Sequence, residues 1–166
     1  MTALHLRRPI AFPAAQAPPY LERFFAQYVQ DDVAVVTLRA PIALPGFPDV
    51  ALSRDCDVRL RRHDGRAAMI AVYDVSWEAA GGGPFPQFRG TLSVPDDEDY
   101  DSCFLALDGT YEPPLGVAGA AFDAVLGHAI AQTTGNELLE RIAGYLEESY
   151  RETEAAKAEK RAAYSS

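Results

Sequence analysis

Apolar positions along this chain keep a strand-like period through most of its length and change to a helical one in two places. Leu4, Leu6, Ile10 and Phe12 recur close to every second position, the spacing of a strand with one buried face. Pro18-Pro19 then introduces a segment in which Tyr20, Leu21, Phe24, Phe25 and Tyr28 share one side at helical spacing, so a short amphipathic helix is predicted over 19–30. Val33 to Val36 is continuously apolar and alternates onward to Ile42, the pattern of a second strand inside a sheet. PIALPGFPDV, residues 41–50, reads as a loop, because its prolines remove backbone donors and Gly46 admits unusual dihedrals. From Val50 the period is two again, with Leu52, Cys56, Val58 and Leu60 set against Ser53, Asp55, Asp57, Arg59 and Arg61.

HDGR at 63–66 predicts a tight hairpin turn, since Asp-Gly tolerates positive φ. Met69, Ala71, Tyr73, Val75 and Trp77 form one face of the strand that follows, and Asp74, Ser76 and Glu78 the other. Beyond AAGGGP, Phe88, Leu92 and Val94 oppose Arg89, Thr91 and Ser93. PDDEDYDS turns the chain back, and Cys103, Leu105, Leu107 and Tyr111 oppose Asp108, Thr110 and Glu112. Short connections between such strands imply an antiparallel sheet with one polar and one buried face.

After Pro113-Pro114 the period becomes helical, with a helix expected to begin between Gly116 and Gly119 and to run past 146. Phe122, Val125, Leu126, Ala129 and Thr133 fall on one side; Val117, Ala121, Ala124, His128, Ala131 and Gly135 fall nearly opposite. The second stripe continues as Leu138, Leu139, Ile142 and Leu146, small at one end and bulky at the other. Facing a sheet, the bulky half would close a core, and the small half would leave space or allow close approach. Residues 151–166 have no sustained apolar stripe and read as a solvated helical extension or frayed tail beyond a single domain over 1–150.

Composition narrows the function classes. The 166 residues are 48% hydrophobic, enough for one domain with a sizeable core. A net charge of −9 argues against nucleic acid or an anionic membrane surface as partner. No apolar run approaches the length of a membrane span. Cys56 and Cys103 lack the spacing of a metal knuckle or redox pair, and no secretory leader pattern opens the chain, so a reducing, cytoplasmic setting is expected. HExxH, GxSxG, GxGxxG and Walker-type motifs are absent, and GGG at 81–83 lacks the following helix that phosphate cradling requires. DDED at 96–99 lacks the ligand spacing and turn glycine of a calcium loop. No metal or cofactor is expected.

FPQFRGTLSV, then LALDGTYEPPLG, then an Ala-rich helix ending LLERIAGYLEE resembles the START-like, or SRPBCC, helix-grip superfamily over residues 4–150. The resemblance implies an α+β fold in which a curved antiparallel sheet of six or seven strands grips a long C-terminal helix. It also implies a space between them for lipids, polyketides, quinones or other apolar molecules, although one short helix stands between the first two strands where many relatives place two. On this frame the candidate ligand-binding residues are Arg54, Tyr73, Trp77, Phe88, Leu105, Tyr111, Ala124 and His128. Trp77, in phase with Tyr73 and Met69, could stack on a planar ligand or simply fill the core. Tyr111 is either a core aromatic with a rim hydroxyl or directs that hydroxyl inward. His128 on the small stripe is either a buried, satisfied histidine or a titratable group beside a ligand. An inward Arg54 would fix a carboxylate or enolate oxygen, unless it pairs with Asp123 or is exposed.

Three functions remain open. The leading expectation is non-catalytic binding of a small apolar or aromatic molecule. The second is an enzyme similar to polyketide cyclases or dehydratases, which needs His128, Arg54 or Tyr73 to converge. The third is an interaction protein, because the helix face of Phe122, Val125, Leu126 and Ala129 must be covered by the N-terminal helix or by another subunit, as in a homodimer.

Overall fold

β1 (Thr2–Ile10) leads through a short 3-10 turn (Ala14–Gln16) into α1 (Ala17–Ala26), and β2 (Val29–Gln30), β3 (Val33–Leu44), β4 (Phe47–Arg62), β5 (Val72–Ala79), β6 (Gln87–Ser93) and β7 (Cys103–Glu112) precede α2 (Ala120–Tyr164). This computed structural model describes the backbone of residues 1–31, 33–44, 47–63, 72–83, 85–113 and 120–165, and the side chains of these except 40–44, 47–54 and 120–125. Among the described residues seven strands form one sheet, in the order β1-β7-β6-β5-β4-β3-β2. Every neighbouring pair in it is antiparallel. α2 touches β1 and β7 at one edge and β3 near the other. A flat sheet could not meet one helix at both edges, so the sheet curves around α2, and the α+β helix-grip expectation holds.

Cross-strand register converts the alternation into rows. Val36, Val58, Trp77, Phe88 and Tyr111 stand opposite one another on successive strands of one face. Tyr73, Leu92, Leu107 and Leu6 make a second row towards α1. All of these side chains are buried. Between the two rows, Gly90 faces Gly109, and the tip of the Phe88 ring lies over both: a Cβ added to either glycine would come within 2.6 Å of Phe88 Cζ. Two adjacent strands without side chains let the ring recline on the backbone and let the sheet bend there.

PIALPGFPDV is not a loop throughout. β3 continues to Leu44 and β4 starts at Phe47, with a register irregularity between Ile42 and Leu44. Its prolines are tolerated because this hairpin tip is two-stranded: β5 pairs with β4 only from Cys56, and β2 pairs with β3 only at Ala34 and Val33. A missing N–H on an unpaired strand edge leaves no partner unsatisfied. The HDGR turn and Met69 and Ala71 lie largely outside the described residues, although His63 N donates to Val72 O at 2.9 Å to close that hairpin.

α2 runs unbroken through Gly135 for 45 residues, roughly 67 Å. Its buried positions are Gly127, Ile130, Ala131, Thr134, Gly135, Leu138, Leu139, Ile142, Ala143 and Leu146. A Cβ at Gly135 would meet Leu6 Cδ1, with Leu107 Cδ2 at 3.2 Å and Trp77 Cη2 at 3.5 Å. The small residue there allows close approach of helix and sheet and leaves no space. α1 packs on the C-terminal half of α2 through Phe24 against Tyr145 at 5.2 Å. Phe12, just before α1, meets Tyr150 at 5.2 Å. Ala11 N donates to Glu147 Oε1 at 3.0 Å, fastening the same end. Each buried Leu or Ile here contributes about 1.5–3 kcal/mol. From Arg151 onward nearly every residue of α2 is exposed.

α1 therefore covers the half of α2 opposite to the one that was in need of cover. Of the face that suggested an interaction surface, Leu126 is half-buried and Ala129 exposed, while the side chains of Phe122 and Val125 lie outside the described residues.

Candidate functional site

The end of the grip away from α1 holds the chemistry. Trp77 and Phe88 are directly opposite on β5 and β6, and their rings stack at 4.1 Å with planes 15° apart. Phe88 is in turn opposite Tyr111, the last buried residue of β7. The Tyr111 hydroxyl lies 3.2 Å from His128 Nδ1, and the two rings are 5.9 Å apart. Gly127 sits against Tyr111 and Pro113: a Cβ there would be 3.7 Å from Tyr111 Cε2 and from Pro113 Cβ. A wall of three aromatic rings thus ends in a polar contact between sheet and helix.

His128 is exposed, where the periodicity had placed it on a buried stripe. His128 and Gly135 point within about 20° of each other, but the buried face turns along α2: at this end it is formed by Gly127, Ile130, Ala131 and Thr134, roughly 110° from His128. Gly135 crosses above Leu6 and Leu107, whereas at the level of Tyr111 and Pro113 it is Gly127 that faces the sheet, and His128 reaches the Tyr111 hydroxyl from the side.

The other candidates divide between the two ends. Tyr73 is buried, with its ring centroid 4.8 Å from that of Phe25 of α1, beside Arg62, which pairs with Glu22. Burial, helped by the Glu22 carboxylate, pushes its phenol up to about 12, so it stays protonated. Leu105 is fully buried at the α1 end of β7, opposite Arg8. Six residues of β7, roughly 20 Å, separate it from Tyr111. The structure therefore brings together Trp77, Phe88, Tyr111 and His128, and leaves Tyr73 and Leu105 elsewhere in the core. Arg54 is opposite Ala40 near the β3–β4 tip, and Ala124 is one turn before His128 on α2; both side chains lie outside the described residues.

Few polar groups reach the interior. Thr134 is the only buried polar or charged residue among the described ones, and its hydroxyl donates to Ile130 O at 2.8 Å. Trp77 Nε1 and the Tyr73 hydroxyl are buried without a hydrogen-bond partner. Burial raises both the Cys56 and Cys103 thiols to about 12, which makes them inert packing residues. Among the described residues no group of His, Cys, Asp and Glu is arranged to hold a metal. In the acidic turn Asp97 accepts from Glu98 N at 2.7 Å and from the Ser102 hydroxyl at 3.0 Å, the work of a turn residue.

The polar face of the sheet carries a feature that the alternation did not single out. Arg59, Ser76 and Arg89 stand in one cross-strand row and, with Arg61 and Asp74, line a groove of about 520 Å³. Arg59 pairs with Glu78 at 3.1 Å and Asp74 with His63 at 3.0 Å. The signal for it was present: arginines at outward positions of β4 and β6, the two strands that flank β5.

No family model and no curated protein matches the chain. Solved structures do match it in fold. The Zhui aromatase/cyclase from Streptomyces sp. R1128 is similar with a TM-score of 0.52 and 16% identity, over 93% of this chain and 96% of that one. A conserved protein from Geobacillus kaustophilus is similar with a TM-score of 0.46 and 11% identity, over 87% and 96% of the two chains. The likeness is one of fold: a curved antiparallel sheet gripping one long C-terminal helix. No helix among the described residues is long and apolar enough to cross a membrane.

Proposed function

We propose that the chain binds a small apolar or aromatic molecule, without converting it, at the end of the grip where Trp77, Phe88, Tyr111 and His128 meet. Arg54 and Ala124, near the hairpin tip and the start of α2, would complete the rim. The observation that carries this reading is the stacked Trp77–Phe88 pair continuing into Tyr111, which offers flat apolar faces beside a rim that α1 does not cover. Stacked aromatic walls favour planar ligands by about 0.5–1.5 kcal/mol beyond area burial. The fold supports it too, because a sheet wrapped on one helix encloses a ligand without any catalytic motif. An apolar naphthyl probe should bind with enhanced emission, and Gly127→Leu, which fills the rim between Tyr111 and Pro113, should weaken it at least tenfold in a folded protein. A folded Gly127→Leu variant with unchanged affinity would rule this site out.

A second reading, an enzyme of the aromatase/cyclase kind, is favoured by the Tyr111–His128 contact, a phenol and an imidazole able to pass a proton. Under it, His128→Phe should lower turnover of polyketide-like or thioester substrates by about 10² or more. Under the binding reading the same variant leaves affinity for a neutral ligand within about tenfold.

A further inference from the structure

A buried indole N–H without an acceptor costs about 1–3 kcal/mol, so an unpartnered one within an aromatic row calls for an acceptor from outside the chain, a ligand or an ordered water. Trp77 is 2% exposed, its Nε1 has no partner, and it belongs to the aromatic row that ends at His128. We propose, building on the binding reading above, that the ligand is a neutral aromatic carbonyl compound whose oxygen accepts a hydrogen bond from Trp77 Nε1 while its ring packs along the Trp77–Phe88–Tyr111 wall.

Three observations define that class. Indole N–H only donates, so the complementary group is an acceptor, and a carbonyl oxygen accepts without bringing a hydrogen of its own that would need a further partner in this interior. Among the described residues no cation is buried, so an anionic oxygen would enter a low-dielectric interior without a counter-charge, in a protein whose net charge is already −9. The other polar groups nearby are engaged or distant. Tyr111 already meets His128, Thr134 bonds to its own helix, and Tyr73 lies four residues along β5, roughly 13 Å away, under Phe25.

Matched probes test this: methyl naphthyl ketone and its isopropenyl isostere, in which CH2 replaces the carbonyl oxygen. The ratio of their affinities is measured in the wild type and in Trp77→Phe, so that the ketone's greater hydration in water cancels. The expected result is a ratio about tenfold lower in Trp77→Phe. Because Trp77 is the only tryptophan, the protein has one indole Nε1–H resonance. It should move downfield with the ketone and not with the isostere, a readout that needs no variant and decides the matter if Trp77→Phe fails to fold. Equal ratios, or equal responses of the indole proton to both probes, would mean that an ordered water or nothing sits at Nε1; that outcome overturns the carbonyl assignment and leaves the binding reading standing. If neither probe binds the wild type, the binding reading itself falls and the assignment with it.

Discussion

The two ends of the grip are built from the same helix and the same sheet, yet they differ in what the helix presents. At the α1 end Leu138, Leu139, Ile142 and Leu146 fill the interior, and Phe12, Phe24 and Phe25 seal it. At the other end the buried positions are Gly127, Ile130, Ala131, Thr134 and Gly135, most of them small, and the aromatic rings belong to the sheet. One stripe thus does two jobs: its bulky half supplies stability, and its small half brings the sheet's aromatics close to the helix and leaves a polar rim. Dense apolar burial marks the first end, with the Tyr73 hydroxyl shut in under Phe25. The unpartnered Trp77 Nε1 and the Tyr111–His128 contact mark the second.

The largest effect should come from the sealed end. Leu138→Ala removes a fully buried side chain and should cost about 2–5 kcal/mol, read from the urea midpoint at unchanged slope, with probe affinity at the far end preserved. A loss below about 1 kcal/mol would mean that the two halves do not divide stability in this way. Gly135→Leu probes the boundary between them. Even its Cβ would press on Leu6 and Leu107, so helix and sheet must separate, at about 1–3 kcal/mol. Unlike Leu138→Ala, it should also disturb binding, because Trp77 lies against the same position.

Much of this contrast was legible in the residue pattern. Period-two alternation located the inward faces of β4 to β7, and the change from small to bulky along α2 was visible from Ala124 to Leu146. What the pattern could not carry was cover. Phase put His128 and Gly135 on one stripe, but the buried face turns along α2, so that Gly127 and not His128 packs under Tyr111 and Pro113. Phase likewise grouped Tyr73 with Trp77 on one face without separating them along the strand. Prolines in 41–50 signalled a loop because propensity does not know that the tip has free edges. The unpaired indole had no sequence signal at all, since it depends on which atoms fail to arrive.

Alkaline pH should expose the sealing of the core as a whole. Cys56 and Cys103 are raised from 9.0 to about 12 and Tyr73 from 10.0 to about 12, each chiefly by burial. The unfolded chain releases these protons first, so between about pH 9 and 12 it binds fewer protons than the folded state and stability falls as pH rises. The slope is at most about 1.4 kcal/mol per pH unit for each group, and below pH 9 these groups add no pH dependence. Cys56→Ala or Cys103→Ala should flatten the alkaline limb; an unchanged limb would mean that the thiols are not sealed in.

The smallest effects, and the ones that discriminate most finely, belong to the rim. Tyr111 is 1% exposed and His128 is exposed, so their hydrogen bond joins a buried oxygen to a solvated ring. Removing one partner is therefore not equivalent to removing the other. Tyr111→Phe deletes the hydroxyl and leaves His128 free to bond to water, which should cost about 0.5–1 kcal/mol. His128→Phe, chosen because the two residues have similar helix propensity, leaves the Tyr111 hydroxyl buried without a partner and should cost about 1–2 kcal/mol. In the double variant the orphaned hydroxyl is gone, so the His128 substitution should become nearly neutral, and thermal or urea unfolding of the four proteins completes the cycle. Equal costs for the two single variants would show that water reaches the Tyr111 hydroxyl directly. The wall of Trp77, Phe88 and Tyr111 would then be open to solvent at its end, and the contrast between a sealed end and a rimmed end would become one between a closed end and an open channel.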